Sequence, residues 1–280
     1  MEVSVMNNEV FNVPLITGKT NSTIVKISKL ADKKYRNKEK LFIFDGIKLF
    51  LEAVDFNAPI KYIIIDNNAD LNDNLCEKIR NVQAEGVSIL CVERHVFEKL
   101  TDENSPQGII TVCGFMQNLH RFFTKVENAF YENEKLIILE SVRDPGNFGA
   151  ILRNAVAFGI DRLIVSSDCV DIYSPKVIRA SMGAFFKLKI DVVNELTSFV
   201  VALKKSGRRV LAAALEKNSL VLGKDAITSR DVFALGNEGR GLSREIIDNC
   251  TDSIFIPIKE NTESLNVAIA GAIIMWEISK

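Results

Sequence analysis

The feature that most constrains this chain is a repeated alternation of short apolar runs of strand length with segments whose apolar residues recur every three or four positions. In the first half LFIF (41–44), YIII (62–65), VSILCV (87–92) and IITVC (109–113) read as strands. Between them Ile47, Phe50, Leu51 and Val54, then Leu71, Leu75, Ile79 and Val82, take helical spacing, and Phe97 and Leu100 mark a short helix. The second half resumes the pattern with strands at LIIL (136–139), RLIV (162–165), FKLKIDVV (186–193), RVLAAAL (209–215), VFAL (232–235) and SIFIPI (253–258). Such alternation specifies an α/β protein with a largely parallel sheet. Residues 116–134 interrupt it, and 280 residues exceed the usual size of one domain. The chain therefore divides into a loose lead-in (1–20), an N-terminal α/β domain (21–115), a linker (116–134) and a C-terminal α/β domain (135–280).

Charge and residue usage exclude several functions. Lys and Arg number 35 against 36 Asp and Glu, so no whole-protein field favours a polyanion and any such partner needs a local patch. One exists. Over 26–40, Lys26, Lys29, Lys33, Lys34, Arg36, Lys38 and Lys40 face only Asp32 and Glu39. Taken alone the run reads as a solvated helix face. Five scattered cysteines without a C-x-x-C pair point to a reducing, cytoplasmic setting, and two histidines leave no basis for a zinc motif or other metal site. No secretory signal is expected, and the apolar C-terminal stretch, broken by Asn266 and framed by Glu263 and Glu277, is too polar to span a bilayer. That stretch, read as a helix from Ser264, is apolar on both faces, with Leu265, Ala268, Ile269, Ala272, Ile273 and Trp276 on one and Val267, Ala270, Ile274 and Ile278 on the other. It needs a second cover, which a homodimer interface or burial within the domain would supply.

Three polar loops, the first two glycine-bearing, each follow a strand of the second half: Glu140 to Gly149, Gly236 to Ser243, and Lys259 to Asn266. The carboxyl ends of parallel strands share an edge, so these loops are placed to converge on a ligand. Gly18-Lys19-Thr20 lacks the first glycine of a phosphate loop, which would fall at Val13, and no G-x-G-x-x-G opens the first βαβ unit.

The wording of the loops is more specific. Asn147-Phe148-Gly149 with Arg153-Asn154-Ala155 and Gly159, then LGNEGRGLS (235–243), then IPIKENTESLNVAIA (256–270), resemble in order the three motifs of the SpoU-type (TrmH-like) RNA 2′-O-ribose methyltransferases of the SPOUT superfamily. YRNKEKLFIFDG and SPQGI resemble, more weakly, the family's N-terminal RNA-substrate domain. With an RNA substrate implied, the basic run takes on a role, and Lys33, Lys34, Arg36, Lys38 and Lys40 are assigned to RNA phosphates. The resemblance implies a parallel sheet with a C-terminal deep trefoil knot, one of the rare exceptions to unknotted topology. It implies S-adenosylmethionine held there by Leu235, Gly236, Ile256, Leu265 and Asn266. This chain departs from the family at Glu260, where Gly is usual, at Ala268, where Ser is usual, and at Asp45-Gly46, where the family has Glu-Gly.

The implied reaction moves a methyl group to a ribose 2′-hydroxyl of structured RNA, ribosomal RNA first and transfer RNA second, by a homodimer without metal. Arg153, Asn147, Glu238, Ser264 and Asn266 form the implied catalytic set. Arg153 is credited with activating the hydroxyl, although a guanidinium rarely gives up its proton; Asn147 would orient Arg153 and the ribose, while Glu238, Ser264 and Asn266 would shape the site. Ser264 also suits a helix N-cap. The rival reading is a non-catalytic RNA-binding protein on the same scaffold.

Overall fold

The computed structural model describes residues 6–123, 131, 133–259 and 264–280. Contacts between residues divide the chain into two units, Met1–Met116 with Ile172–Phe186, and Gln117–Asp171 with Lys187–Lys280.

The first unit opens with α1 (Asn7–Val10) and β1 (Leu15–Ile16), followed by α2 (Ser22–Ser28), α3 (Lys33–Glu39) and β2 (Leu41–Asp45). It continues through α4 (Ile47–Asp55), β3 (Ile60–Asp66), α5 (Asp73–Ala84), β4 (Ser88–Val92), α6 (Arg94–Phe97) and β5 (Ile109–Gly114). The helices start where the sequence supplies a cap: the side chains of Asn21, Asp32 and Asn72 accept from the first-turn N–H groups of α2, α3 and α5. The sheet order is β1-β4-β3-β5-β2, parallel at β1/β4 and β3/β4, antiparallel where β5 joins β3 and β2. One face buries Phe50, Ile63, Leu75 and Ile79, the other Ile24, Ile27, Leu30, Ile64 and Phe97. The lead-in is not loose. Asn7 is buried, its amide donating to the carbonyls of Asp66 and Ala69, Phe11 enters the core, and β1 pairs with β4 as an edge strand. A two-residue strand is too short to show a period, which is why the sequence does not reveal it.

The second unit contains β6 (His120–Phe123), β7 (Leu136–Leu139), α7 (Pro145–Ala157) and β8 (Arg162–Ser166). After α8 (Pro175–Ser181) come β9 (Lys189–Val193), α9 (Leu196–Lys205), β10 (Val210–Ala213), β11 (Leu220–Val221), β12 (Val232–Leu235), α10 (Arg244–Asn249), β13 (Asp252–Phe255) and α11 (Val267–Ser279). The helix α8 belongs with the first unit, where Tyr173 lies against Phe42 and Arg179 pairs with Glu103. The second sheet runs β11-β13-β10-β12-β7-β8-β9-β6 with every pairing parallel. Chain order runs away from β7 on one side through β8 and β9, then returns on the other side to place β12 beside β7. Ligands bind at such a reversal, outside the carboxyl ends of the strands. The first residues of the expected linker supply β6, tied to β9 by Arg121, whose guanidinium donates twice to the buried Asp191 at 2.9 and 2.7 Å. Linker residues 124–130 and 132 lie outside the described residues, as does Glu260. Among the described residues no helix is long and apolar enough to cross a membrane.

Candidate active site

The loops after β7 and β12 meet at the reversal, where the Glu140 N–H donates to the Leu235 carbonyl at 2.8 Å. Helix α7 begins there because Asp144 caps it, accepting from the Asn147 N–H at 2.7 Å, and because Pro145 has its fixed φ in the first turn. The loop after β12 is a tight hairpin in which Asn237 and Gly241 exchange main-chain hydrogen bonds at 3.0 and 2.9 Å. A Cβ on Gly236 would lie 2.2 Å from the carbonyl carbon of Gly241 and the nitrogen of Leu242. Only glycine permits that approach, so this position serves the chain's own backbone before it serves any ligand.

Glu238, carried by the hairpin, is the hub. Its carboxylate accepts from the main-chain N–H groups of Asp144 (3.2 Å) and Arg143 (3.5 Å), and from the side-chain amides of Asn147 and Asn237 (both 3.2 Å). Partial burial raises this carboxyl, but hydrogen bonds from main-chain N–H groups and Asn147 outweigh it and hold the group below the usual carboxylate range. Asn147 links the hub to the third loop: its Oδ1 accepts from Asn266 Nδ2 at 2.8 Å. Asn266 is also the N-cap of α11, accepting from Ala268 and Ile269 at 2.9 and 3.3 Å, so the cap expected of Ser264 belongs to Asn266. Asn154, two turns along α7 from Asn147, donates to the Ala268 carbonyl at 3.1 Å and fastens α11 to α7. One residue from each of the three motifs, Asn147, Glu238 and Asn266, thus forms a single hydrogen-bonded chain.

Beside this chain of contacts lies an apolar cavity of about 230 Å³ at the ends of β10 and β13, closed by α11. Ile256 and Leu265 of the assigned cofactor set line it, as does Ser264 of the assigned catalytic set, together with Ala213, Ala214 and Leu222, which the motifs do not point to. A signal is present all the same, since Ala213 ends β10 of the same parallel sheet and Ala214 follows it directly. Leu235, only 2% exposed, packs in the core near Gly271 and lines no part of the cavity, and neither do Gly236 and Asn266 of the same assigned set.

Arg153 stands apart. It is exposed on α7, six residues from Asn147 and hence about 120° around the helix, and pairs with no described residue. The Asn147 amide is spent on Glu238 and Asn266, so it does not orient Arg153 as expected. In the first unit Lys33, Lys34, Lys38 and Lys40 are exposed, with Lys40 over the Phe115 ring. Arg36 is not available to phosphate: it is 4% exposed, and its Nη1 donates to the Leu30 and Ala31 carbonyls at 2.7 Å each. Those carbonyls lie at the end of the 3₁₀ turn Lys29–Ala31, where a helix end leaves acceptors to be met by side chains, and a charge count cannot reveal that role.

A parallel α/β unit with three strand-end loops joined at a reversal, beside an apolar cavity, defines a ligand-binding α/β domain. The chain belongs to the SpoU rRNA methylase family, whose model matches residues 134–276, and residues 21–111 match an MRM3-like substrate binding domain. It is 28% identical over 260 residues to the 23S rRNA (guanosine(2553)-2′-O)-methyltransferase RlmP of Bacillus subtilis, covering 92% of this chain and 96% of that protein. It is 30% identical over 224 residues to the 23S rRNA (guanosine-2′-O-)-methyltransferase RlmB of Coxiella burnetii, covering 79% and 87%. An AdoMet-bound rRNA methyltransferase from Sinorhizobium meliloti shares the fold with a TM-score of 0.80 and 27% identity, covering 95% of this chain and 97% of that one.

Proposed function

We propose that this protein methylates a ribose 2′-hydroxyl of ribosomal RNA from S-adenosylmethionine, as a cytoplasmic homodimer whose C-terminal segment is knotted as in its family. The observation that carries the reading is the Asn147–Glu238–Asn266 chain of contacts, which joins all three motif loops beside the apolar cavity. The cavity suits the adenosyl portion of the donor: Ile256 and Leu265 offer an apolar slot, while the strand end at Ala213 and Ala214 brings main chain alongside. When bound, the donor supplies an electrophilic sulfonium methyl. Everything else falls to the chain. Glu238, with its carboxylate occupied by four donors, positions the loops and does not take the hydroxyl proton. Arg153 keeps all its donors, and a planar fork of this kind can hold a ribose hydroxyl and an adjoining phosphate together. Since it meets none of the other site residues within its own chain, RNA or a second copy completes its surroundings. Lys33, Lys34, Lys38 and Lys40 supply sequence-independent attraction to the RNA backbone.

Calorimetry with S-adenosylmethionine, followed by mapping of 2′-O-methyl positions in ribosomal RNA from a deletion strain, tests the reading. Binding with loss of one ribosomal mark is expected. No binding would leave the non-catalytic RNA-binding rival, and a mark lost from transfer RNA would move the substrate.

A further inference from the structure

We propose that a second, polar pocket beside the Glu238 hub binds the base of a guanosine in the substrate RNA. This rests on the RNA methylation proposed above. The pocket, about 270 Å³, is formed by the same two loops that hold Glu238, and its chemistry comes from Glu140, Arg143 and Arg240. At that size it takes a single ring system and not a drug-sized ligand.

The walls are fixed before any ligand arrives. Ser141 is held at φ +55°, a conformation that a residue other than glycine adopts at a cost. Its N–H donates to Ser166 Oγ at 2.9 Å, and its carbonyl accepts from Asn237 Nδ2 at 2.8 Å. Asp168 accepts from Ser141 Oγ (2.5 Å), Ser166 Oγ (2.6 Å) and Arg143 Nη2 (3.0 Å), bracing the Arg143 guanidinium. Across the pocket the Ser243 N–H fixes Glu140 through Oε2 at 2.7 Å. One main-chain donor does not exhaust a carboxylate, so Glu140 retains acceptor capacity. The side chain of Arg240, at the hairpin tip, pairs with no described residue.

Two guanidiniums with a carboxylate in the same wall select against a phosphate, which Glu140 would repel and which Asp168 and Glu238 nearby would disfavour further. They suit a group presenting donors and acceptors on different edges. Guanine has adjacent N1–H and N2–H donors for a carboxylate, and O6 and N7 acceptors for an arginine. Adenine, cytosine and uracil lack the paired donors. Arginine planes also stack on bases, and a base seated here would bring its ribose to the loops that carry Asn147 and Glu238.

The test is saturation-transfer NMR and competition titration of the full chain with GMP, IMP, AMP, CMP and UMP. GMP should bind in preference to AMP, CMP and UMP, and IMP, which lacks the 2-amino donor, should bind about tenfold more weakly than GMP. Glu140→Gln keeps an acceptor for the Ser243 N–H and so keeps the loop, yet should weaken GMP by about tenfold or more and erase the GMP/IMP difference. Arg240→Ala should weaken GMP as well. Equal response to all nucleotides, no response, or undiminished GMP selectivity in Glu140→Gln would overturn the proposal. Calorimetry with S-adenosylmethionine on the same samples reads the underlying methyltransferase assignment separately: its affinity should be unchanged in both variants, and its absence in the wild type would fail that assignment and not the guanine pocket.

Discussion

Arg36 and Arg153 carry the same guanidinium in opposite circumstances. Arg36 is a structural donor, buried with its Nη1 on two carbonyls of the turn between α2 and α3; Arg153 is exposed and unpaired among the described residues. Arg36→Ala leaves the buried Leu30 carbonyl and the part-buried Ala31 carbonyl without that donor and should destabilise the first unit by about 1–3 kcal/mol in urea denaturation. The quadruple change of Lys33, Lys34, Lys38 and Lys40 to Gln should leave the unfolding midpoint in place while flattening the salt dependence of RNA binding. An unchanged salt slope would return the stretch to a solvated face. For Arg153, replacement by Ala should preserve folding and cofactor affinity while single-turnover methylation with saturating RNA falls about a hundredfold or more. Lys keeps the charge but loses the fork, so Arg153→Lys should also be badly impaired; a near-normal rate there would show that charge alone suffices. The motif residues are legible in the sequence as a set. Their partners are not, because which donor meets which acceptor depends on loops brought together from some hundred residues apart, as with Asn147 and Asn266.

At the scale of elements, the long strands and helices are legible from their periods, whereas the short edge strands β1 and β6 are not. What holds such an edge is side-chain chemistry. Next to β6, Arg121, Tyr131 and Arg162 converge on Asp191, whose carboxylate is fully buried, and Glu134 accepts from Arg162 (2.7 and 3.1 Å) and Lys189 (2.8 Å). Burial raises the Glu134 carboxyl, but the hydrogen bonds and charges of Arg162 and Lys189 outweigh it and bring it down to about 2. A depressed carboxyl contributes stability that is fully present above its unfolded value and is lost as pH falls through the folded one. Glu134→Gln should therefore cost about 1–2 kcal/mol at neutral pH, allowing for solvent screening. The gap to wild type should close between about pH 4 and the folded value, whereas a constant gap across that range would mean the charge is not what matters. Helix α11 offers a cleaner separation of fold from site. Asn266→Ser keeps a competent N-cap but removes the amide that reaches Asn147, while Asn266→Ala removes both and should cost about 1 kcal/mol of stability. If the bridge between motif loops serves catalysis, methylation falls in both variants and stability in only one.

At the scale of the whole molecule, α11 decides whether the protein acts alone. Its doubly apolar sequence calls for cover from a partner subunit or from the domain itself, and the structure divides the helix between the two conditions. Ile274, Met275 and Ile278 are buried within their own unit, with Ile274 also lining the apolar cavity, whereas Ile269 and Trp276 remain 54% and 53% exposed. Periodicity could not make this division, since a helix apolar on every side has almost no directional signal. A charge at Ile274 would therefore disturb the core and cavity and say nothing clear about assembly. Ile269 is the discriminating position. If two copies pair through this face, Ile269→Glu buries a carboxylate without a partner, a cost that strongly disfavours association while leaving the protomer's own core untouched. Wild-type protein should scatter light as a dimer at micromolar concentration, and Ile269→Glu should run as a monomer with the same cooperative thermal unfolding measured at equal protomer concentration. Methylation should fall with dimer content if Arg153 needs a second copy to complete its surroundings, and mixing Ile269→Glu with wild type should not restore it. A wild-type monomer, or an Ile269→Glu monomer with full activity, would remove the partner subunit from the site and leave RNA alone to engage Arg153, whereas an Ile269→Glu dimer would take this face out of the interface.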